Sequence, residues 1–573
     1  MGKFLLGVFV GLVVAVLGLF VIGLAVGKLF ANKQPTIAGN SVLVLALEGD
    51  LPEAAPVEIP IPFIESRAMP SVRDVWASLH AAAADNRIKA LVIAPRGLGV
   101  GWGKLEELHE ELLEFKKSGK PVYAYLQGAG SREYYLASVA DKIYLSPDDM
   151  LDVKGFRLET MFLKNTLDKL GVTVQVDHIG RFKDAGDMFT RTNMTPETRE
   201  VLNQVLDQVY GDFCTTVALG RHKTGDDIRA LIDQGPFMAS QAKGSGLVDE
   251  LGYEDQVYAE LKKKTGSDLK KLDIRSYVHA VSEKGDHIAL IVGQGDIVRG
   301  DAQNSYGTSQ VLSSGSIEKT IRQVRNDSSI KGVILRVDSP GGDAVASDEI
   351  LHELKLLSKA KPLVISFSDV AASGGYFVSM TGDPILSYPN TLTGSIGVLY
   401  IRPNTRDLYN KLGIQEDILT RGKMADMDSW YQPLSDAEHQ KLHEAIQSTY
   451  QSFVSKVASA RRKSYDQIDP LAQGRVWMGQ QARENGLVDE LGGLDRAVAL
   501  IRQRAKLSAN GATDLIPYPP KRSLIDVLTN SSPESVADAA AESKLRKLMP
   551  MLPSRAMLQG GILKVMPYRV NIQ

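Results

Sequence analysis

The sequence predicts an α/β protein built from two copies of one domain, each with mostly parallel strands covered by helices. Segments rich in β-branched residues alternate with helical stretches along most of the chain, which is typical of this class. Residues 333–337 and 363–367 have the length and composition of buried parallel strands. Each leads into a Gly-rich turn and then a helical pattern, so a unit of strand, turn and helix occurs twice in succession.

Length and composition agree with this prediction. The 573 residues are too many for one ordinary domain, and 44% hydrophobic with 23% charged residues is the balance of a globular protein. The net charge of -2 gives no reason to expect a nucleic-acid partner. Because Cys214 is the single cysteine, the sequence excludes an intramolecular disulfide, a cysteine zinc cluster and a CxxC redox pair.

The first distinct element is an apolar segment, residues 4–26, which carries no charge and is bracketed by Lys3 and Lys28. It is long enough to cross a bilayer and longer than the apolar core of a usual cleavable signal peptide. We therefore expect a retained transmembrane anchor, with a cleaved signal ending near Ala31 as the alternative. Positive charge is similar on the two sides, so it does not indicate the orientation of the anchor.

The duplication is visible as four pairs of similar segments in the same order, at an offset near 240 residues. These pairs are 41–53 with 287–300, 87–97 with 329–342, 120–138 with 361–379, and 235–252 with 474–492. They predict repeat domains at 41–280 and 286–505. Each copy is expected to contain a long amphipathic helix, at 196–219 and 436–460. Residues 506–573, which include a proline-rich stretch, are interpreted as a partly flexible extension without an assigned function.

Two Gly-rich turns of the second copy carry the candidate chemistry. In the turn at 338–342, the glycine amides would lie at a helix N-terminus, where they can hold an oxyanion. In the other turn, Ser373 precedes Gly374 and Gly375, so that small neighbours leave its hydroxyl open to an approaching backbone. An oxyanion site beside a serine indicates acyl-transfer chemistry.

The first copy differs at both turns. When the copies are aligned, Arg132 lies opposite Ser373 and Glu133 lies opposite Gly374. Residues 95–99 replace the Asp-Ser-Pro-Gly-Gly turn of the second copy. The serine and its oxyanion site are therefore expected in the second copy alone.

A serine nucleophile needs a base, and none of the nine histidines lies in a Gly-rich turn. Lys183 lies among apolar residues that would disfavour its ammonium form, and a neutral lysine can accept the proton of a serine. A single lysine is ordinarily a solvated surface charge. The repeat offset also sets Lys183 against Lys423, and the residues alone do not choose between the two.

Several motifs together resemble the long, two-domain form of the bacterial signal peptide peptidase A family. They are VDSPGGDA, SDVAASGGY, LTGSIGV, KDAGDMFTRTNM and the doubled GLVDELG, and the resemblance extends from the apolar segment to about residue 500. The resemblance implies a fold similar to the Clp protease and crotonase superfamily.

The resemblance also implies roles for individual residues. Ser373 matches the nucleophile of the family and Lys183 its general base. Gly342 and Gly374 match the amides of the oxyanion hole, and Ser395 matches a serine that orients the lysine. Since nucleophile and base lie in different copies, the site is expected at an interface between domains or subunits.

Lys423 lacks the aromatic and acidic neighbours of Lys183, so it is interpreted as a structural remnant of the duplication.

The implied function is that of a membrane-anchored serine endopeptidase that degrades cleaved signal peptides and other apolar peptides, without a cofactor or metal. By resemblance it would be a homotetramer in the bacterial inner membrane, with its catalytic domains on the periplasmic side. One alternative is a crotonase-like acyl-CoA hydratase or isomerase, which would need an acidic catalytic residue. The other is a membrane scaffold that kept the fold and lost the chemistry.

Overall fold

The computed structural model describes residues 37–53, 69–281, 284–301, 311–519 and 561–566, with the isolated residues 7, 11, 18, 557 and 572. Apart from three of its glycines, the expected anchor at 4–26 lies outside the described residues. Within the part of the chain that is described, no helix is long and apolar enough to cross a membrane.

The first copy alternates strands and helices as the sequence pattern predicts. In chain order its elements are β1 Ser41–Leu45, β2 Glu48–Gly49, α1 Val72–Ala84, β3 Ile88–Ile93, β4 Arg96–Leu98, α2 Trp102–Lys116, β5 Val122–Leu126, α3 Ser131–Ala137, β6 Lys142–Leu145, β7 Met150–Leu151, α4 Lys164–Leu170, β8 Thr173–Ile179, α5 Asp187–Thr190, α6 Pro196–Arg221, α7 Gly225–Ile232, β9 Phe237–Met238, α8 Ala239–Gly244, β10 Glu250–Leu251, α9 Glu254–Thr265, β11 Lys270–Asp273 and α10 Ile274–Val278.

The second copy repeats most of this order, and one further strand follows it. The elements are β12 Asp286–Gln294, β13 Asp296–Val298, β14 Val311–Ser313, α11 Ser314–Asn326, β15 Gly332–Ser339, β16 Gly341–Asp343, α12 Ala344–Ala360, β17 Leu363–Ala372, α13 Gly374–Val378, β18 Ile385–Ser387, β19 Leu392–Gly394, β20 Val398–Asn404, α14 Arg406–Leu412, α15 Asp436–Arg461, α16 Tyr465–Ile468, a 3₁₀ turn Asp469–Leu471, β21 Val476–Met478, α17 Gly479–Asn485, β22 Glu490–Leu491, α18 Leu494–Arg504, β23 Thr513–Tyr518 and β24 Gly561–Val565.

The main sheets of the two copies have the same strand order. The first sheet runs β10-β6-β5-β3-β1-β11, and all of its neighbours are parallel. The second contains the equivalent series β22-β18-β17-β15-β12-β23, also parallel, and adds β19, which is parallel to β17, and β21, which is antiparallel to β19. This correspondence confirms the duplication. Strand β23 lies beyond the boundary expected at residue 505, and its proline is tolerated because β23 is an edge strand.

The long helices α6 and α15 are equivalent as well. Each has 26 residues and begins after a capping hydroxyl, Thr195 or Ser435, that accepts a hydrogen bond from a backbone amide of the first turn. Each ends at a residue in the left-handed conformation, His222 or Arg462. The helices predicted at 196–219 and 436–460 are therefore confirmed, each extending slightly further than expected.

The second sheet packs against both copies. Successive side chains of a strand point to opposite faces. On β12, Ile288 and Leu290 join the apolar core of the first copy, whereas Ala289 and Ile291 join the core of the second copy. The two copies thus share a continuous buried interface, which fixes the position of one relative to the other.

A third sheet joins the two copies and the C-terminal segment in the order β14-β13-β16-β24-β20-β8. Strand β8 of the first copy pairs antiparallel with β20 of the second, with Ile179 opposite Val398. Strand β24 is antiparallel to both β16 and β20. This sheet carries a segment of the first copy to the Gly-rich turns of the second.

Candidate active site

Ser373 lies at a sharp turn between a strand and a helix. Strand β17 ends at Ala372 and α13 begins at Gly374, and Ser373 between them has φ 52° and ψ −110°. This conformation is uncommon for a residue with a side chain, and it is a form of strain often found at functional sites. A Cβ on Gly375 would lie 2.5 Å from the carbonyl oxygen of Ser339, so only glycine fits there. The turn is the strand-to-helix arrangement typical of a catalytic nucleophile, and here Ser373 itself is buried.

Lys183 reaches this serine from the first copy of the same chain. The segment after β8 is held by a hydrogen bond of 2.7 Å from the Phe182 amide to the Gln473 carbonyl. The Nζ atom of Lys183 lies 2.9 Å from Ser373 Oγ, and 3.0 Å from both the carbonyl oxygen and Oγ of Ser395. The three residues that the family resemblance brought together are therefore in hydrogen-bond contact at an interface between the copies.

Two glycines make room for the stem of Lys183. A Cβ on Gly474 would lie 2.6 Å from both the backbone nitrogen and Cβ of Lys183, and one on Gly397 would lie 3.0 Å from its Cδ. Gly474 also has φ +77°, which disfavours any side chain. The Lys183 side chain can therefore reach Ser373 because Gly397 and Gly474 of the second copy have no side chains.

Burial controls the charge of Lys183. Its side chain is fully buried, and this desolvation lowers its pKa well below the usual value for lysine, although the nearby Asp184 carboxylate opposes the shift. Burial also raises the pKa of Asp184 to about 6, while a hydrogen bond from Thr198 opposes that shift. Burial thus favours the neutral form of Lys183, which can accept a proton from Ser373.

The glycines predicted as oxyanion donors lie on the two turns facing one space. The Gly341 amide donates to Ser339 Oγ at 3.2 Å, so that amide is already occupied. A Cβ on Gly341 would lie 2.6 Å from the Gly374 nitrogen, so the two turns are in contact. Gly342 lies on β16 beside this contact. Gly374, which follows Ser373, therefore lies against the turn that carries Gly342.

The other candidate residues lie elsewhere. Lys423 is solvent-exposed in an irregular segment after α14, away from the buried serine. Arg132 and Glu133 occupy the first copy's version of the turn. There the Glu133 carboxylate accepts hydrogen bonds from the amides of Leu98, at 2.6 Å, and Gly130, at 2.9 Å. The first copy thus satisfies its own turn amides with a buried carboxylate.

A buried network of charges between the copies was not predicted from the sequence. Lys104, from α2 of the first copy, contacts Asp338 at 2.9 Å, Asp369 at 3.5 Å and Glu53 at 3.9 Å. Asp338 immediately precedes the Ser-Pro-Gly-Gly turn, and Asp369 lies four residues before Ser373. Burial alone would lower the pKa of Lys104, but these carboxylates hold it well above its usual value.

Arg336, two residues before Asp338, extends the network. It is fully buried, its Nε lies 3.0 Å from Glu53, and its Nη2 contacts Glu107. A charged residue inside the strand pattern of 333–337 was the one available signal, because charges are rarely fully buried without partners. Both Gly-rich turns are therefore attached to the first copy by ion pairs.

Comparisons with known proteins match both copies. Residues 114–268 and 355–508 each match the profile of peptidase family S49. The chain is 34% identical over 513 residues to the chloroplastic serine protease SPPA of Arabidopsis thaliana, covering 87% of this chain and 75% of that protein. It is 32% identical over 500 residues to Protease 4 of Salmonella typhi, covering 84% and 79% respectively. A solved structure of ClpP1 from Listeria monocytogenes matches 36% of this chain and 91% of its own, at 15% identity and a TM-score of 0.21.

Proposed function

Because the chain belongs to peptidase family S49 and is a serine protease, we propose that it is an endopeptidase with Ser373 as nucleophile and Lys183 as general base. The observation that carries this proposal is the contact of 2.9 Å between Lys183 Nζ and Ser373 Oγ, with both side chains fully buried. A base must lie within hydrogen-bond reach of the proton that it removes, and this pair meets that condition.

The first step is transfer of the Ser373 proton to neutral Lys183 as the hydroxyl attacks the scissile carbonyl. A neutral amine has two N–H donors and one lone pair. The carbonyl oxygen and Oγ of Ser395 can accept the two N–H bonds, each at 3.0 Å, which leaves the lone pair for the hydroxyl of Ser373. Ser395 is thus a positioning residue. The protonated lysine then gives its proton to the leaving amine, and water releases the acyl group from Ser373.

The amides of Gly342 and Gly374 are proposed to stabilise the negative oxygen of the tetrahedral intermediate. Preorganised donors of this kind contribute about 3 kcal/mol each in comparable enzymes. Close contacts exclude side chains from these turns, since a Cβ on Gly374 would lie 2.8 Å from Ser347 Oγ and 3.1 Å from Gly341 Cα, and Gly341 itself has φ +99°. No metal ion or cofactor enters this mechanism.

The proposed substrates are extended apolar peptides, cleaved signal peptides among them. The family resemblance supports this assignment, as does the uncharged segment 4–26, which would hold the enzyme at a membrane. We place the enzyme in the bacterial inner membrane as a homotetramer, with both copies on the periplasmic side and a Clp protease-like fold. Fractionation with protease protection and a mass measurement in detergent test location and assembly.

The alternatives fit less well. A crotonase-like hydratase would use an acidic group, and among the described residues no carboxylate is hydrogen-bonded to Ser373 or to Lys183 Nζ. A scaffold without chemistry has no use for a buried lysine of lowered pKa beside a strained serine.

The test compares peptide hydrolysis by the full chain with that by Ser373→Ala, Lys183→Ala and Lys423→Ala, using an apolar signal-peptide sequence as substrate. We expect the first two variants to lose at least about a thousand-fold in kcat/KM, because each removes half of the dyad. Lys423→Ala is the matched control and should retain full activity. Normal turnover by Ser373→Ala would rule out the proposed mechanism, and loss of activity in Lys423→Ala alone would move the base into the second copy.

A further inference from the structure

The C-terminal strand β24 occupies the cleft between the Gly-rich turn and β20. It is antiparallel to β16, with Lys564 opposite Gly342, and antiparallel to β20, with Leu563 opposite Leu399. The Met566 amide donates to the Pro340 carbonyl at 2.7 Å. An extended peptide that adds a strand between two sheet edges is one of the common modes of peptide binding. Strand β24 is thus bound in the manner expected of a substrate.

The register puts one peptide bond of the tail next to the oxyanion glycines. A Cβ on Gly341 would lie 2.0 Å from the Lys564 carbonyl oxygen and 2.6 Å from the Gly374 nitrogen, so that oxygen lies beside the Gly374 amide. The side chain of Lys564 is buried, with Nζ 3.3 Å from the ring centre of Phe377 and 3.2 Å from the Ala344 carbonyl oxygen. A substrate bound in this register has its scissile carbonyl at the position of the Lys564 carbonyl, so the residues after Lys564 correspond to the leaving-group side of that substrate.

The chain meets the protein again at Ile572, in the first copy. Ile572 forms an antiparallel bridge with Leu158, and its carbonyl oxygen accepts a hydrogen bond of 2.7 Å from Arg132 Nη2. Its side chain is 2% exposed and belongs to the apolar core of the first copy. Eight residues beyond Lys564, the tail is thus held by both a backbone contact and an apolar contact.

The two residues that Ile572 contacts, Arg132 and Leu158, occupy positions equivalent to positions of the catalytic cleft. Arg132 aligns with Ser373 in the repeat. Strands β7 and β19 are equivalent, because Met150 of β7 pairs with Met238 and Leu392 of β19 pairs with Met478. Aligning Met150 with Leu392 places Leu158 opposite Tyr400 in the repeat. Tyr400 in turn pairs with Ile562 of the tail. Ile562 and Ile572 of the C-terminal segment therefore pair at equivalent positions of the two copies.

We propose that the groove of the first copy, lined by Arg132 and Leu158, is a peptide-binding subsite for the leaving-group side of an extended apolar peptide. In the resting chain, residues 561–566 lie in the catalytic cleft and Ile572 lies in this subsite, and a substrate must displace both. The catalytic half of this inference rests on the proposed function, whereas the first-copy half does not. Arg132 at the position of the nucleophile donates a hydrogen bond to a peptide carbonyl and cannot attack it, so the subsite holds a peptide without cleaving it.

A crosslink tests the position of the tail without relying on catalysis. In the full chain we would combine Leu158→Cys with Ile572→Cys, because residues opposite each other in an antiparallel bridge are close enough for a disulfide. Mild oxidation should join them, while Leu158→Cys with Leu219→Cys, an exposed site on α6, should stay reduced. Failure of the first pair to form a disulfide would overturn the proposal.

The rate at which a small fluorophosphonate labels Ser373 then measures access to the catalytic cleft. Oxidation of the crosslinked pair should slow labelling at least about ten-fold, and reduction should restore it. Arg132→Ala should speed labelling about three-fold or more, while Arg229→Ala, an exposed arginine of the same copy, should leave it unchanged. A labelling rate that is the same with and without the crosslink would overturn the proposal. A crosslink that forms in a chain whose Ser373 never reacts would refute the proposed protease mechanism while supporting the first-copy subsite.

Added peptides separate the subsite from the cleft. The variant Lys564→Glu, whose own tail is destabilised in the cleft, is used as the acceptor. A synthetic peptide of residues 561–573 should protect its Ser373 from fluorophosphonate labelling at several-fold lower concentration than a peptide of residues 561–568. In Lys564→Glu combined with Arg132→Ala the two peptides should protect equally. An equal effect of both peptides before Arg132 is changed would show that the first copy contributes no binding.

Discussion

The two copies share a strand order but treat the same turn in opposite ways. In the second copy the helix after the turn begins at Gly374, and a strained Ser373 lies before it. In the first copy the corresponding residues are Arg132 and Glu133. The buried Glu133 carboxylate accepts hydrogen bonds from the turn amides of Leu98 and Gly130. In the second copy a peptide carbonyl, that of Lys564, lies beside the Gly374 amide, whereas in the first copy a carboxylate accepts hydrogen bonds from the turn amides.

This difference shows how a duplicated domain can divide one reaction between its halves. The first copy has lost the nucleophile but supplies Lys183, whose path depends on glycines of the second copy. It also supplies Lys104, which holds the carboxylates beside both Gly-rich turns. Loss of chemistry in the first copy is therefore compatible with a continued role in the active site.

The largest expected effect comes from exchanging the nucleophile position between the copies. We expect Arg132→Ser combined with Ser373→Ala to lose at least about a thousand-fold in peptide hydrolysis, with no fluorophosphonate label at residue 132. The new serine would lie beside the Glu133 carboxylate, which repels an oxyanion, and would have no lysine in contact.

Mass spectrometry of the labelled peptides locates the reactive residue. Arg132→Ser alone is the control and should keep its label at Ser373. A label at residue 132 in the double variant would mean that the first copy retains a working oxyanion site, so the two copies would not differ in this respect.

The base can be tested through the pH dependence of kcat/KM. Because burial lowers the pKa of Lys183, activity should rise as this lysine loses its proton and reach its plateau well below pH 10. Lys183→Arg should lose about a hundred- to ten-thousand-fold at every pH, since arginine stays protonated. A wild-type profile that still rises steeply through pH 10 would indicate an ordinary lysine and contradict the burial argument.

How far the sequence could predict this site depends on the range of each interaction. The turns at Ser373 and Gly342 depend on local glycine patterns, and they were found where the sequence indicated. The choice of Lys183 over Lys423 needed the family resemblance, because the β8–β20 pairing that decides it joins strands more than 200 residues apart. No periodic pattern in the sequence indicates that Arg336 pairs with Glu53 and Glu107, or where β24 lies, so neither could be predicted.

The contact between the copies can be weakened at Lys104. We expect Lys104→Met to lower the free energy of unfolding by about 3 to 5 kcal/mol, because it leaves the carboxylates of Asp338 and Asp369 buried without their partner. Chemical denaturation of the full chain measures this effect. The control is Lys116→Met at the end of the same helix, where a half-exposed pair with Asp141 should contribute less than about 1 kcal/mol. Equal effects of the two substitutions would mean that the buried network does not hold the copies together.

The smallest expected effect is the pH dependence of stability that the buried Lys183 contributes. Unfolded Lys183 carries a proton up to about pH 10.4, whereas folded Lys183, with its lowered pKa, releases it at lower pH. Between these two pKa values the unfolded chain binds more protons, so the stability of the wild type rises with pH. Lys183→Met has no such proton, and its stability relative to the wild type should fall as pH rises, by about 1.4 kcal/mol for each unit through which the window extends. If the Lys183→Met difference did not change with pH, folded Lys183 would keep its proton, and the first copy would supply a structural cation to the site in place of a base.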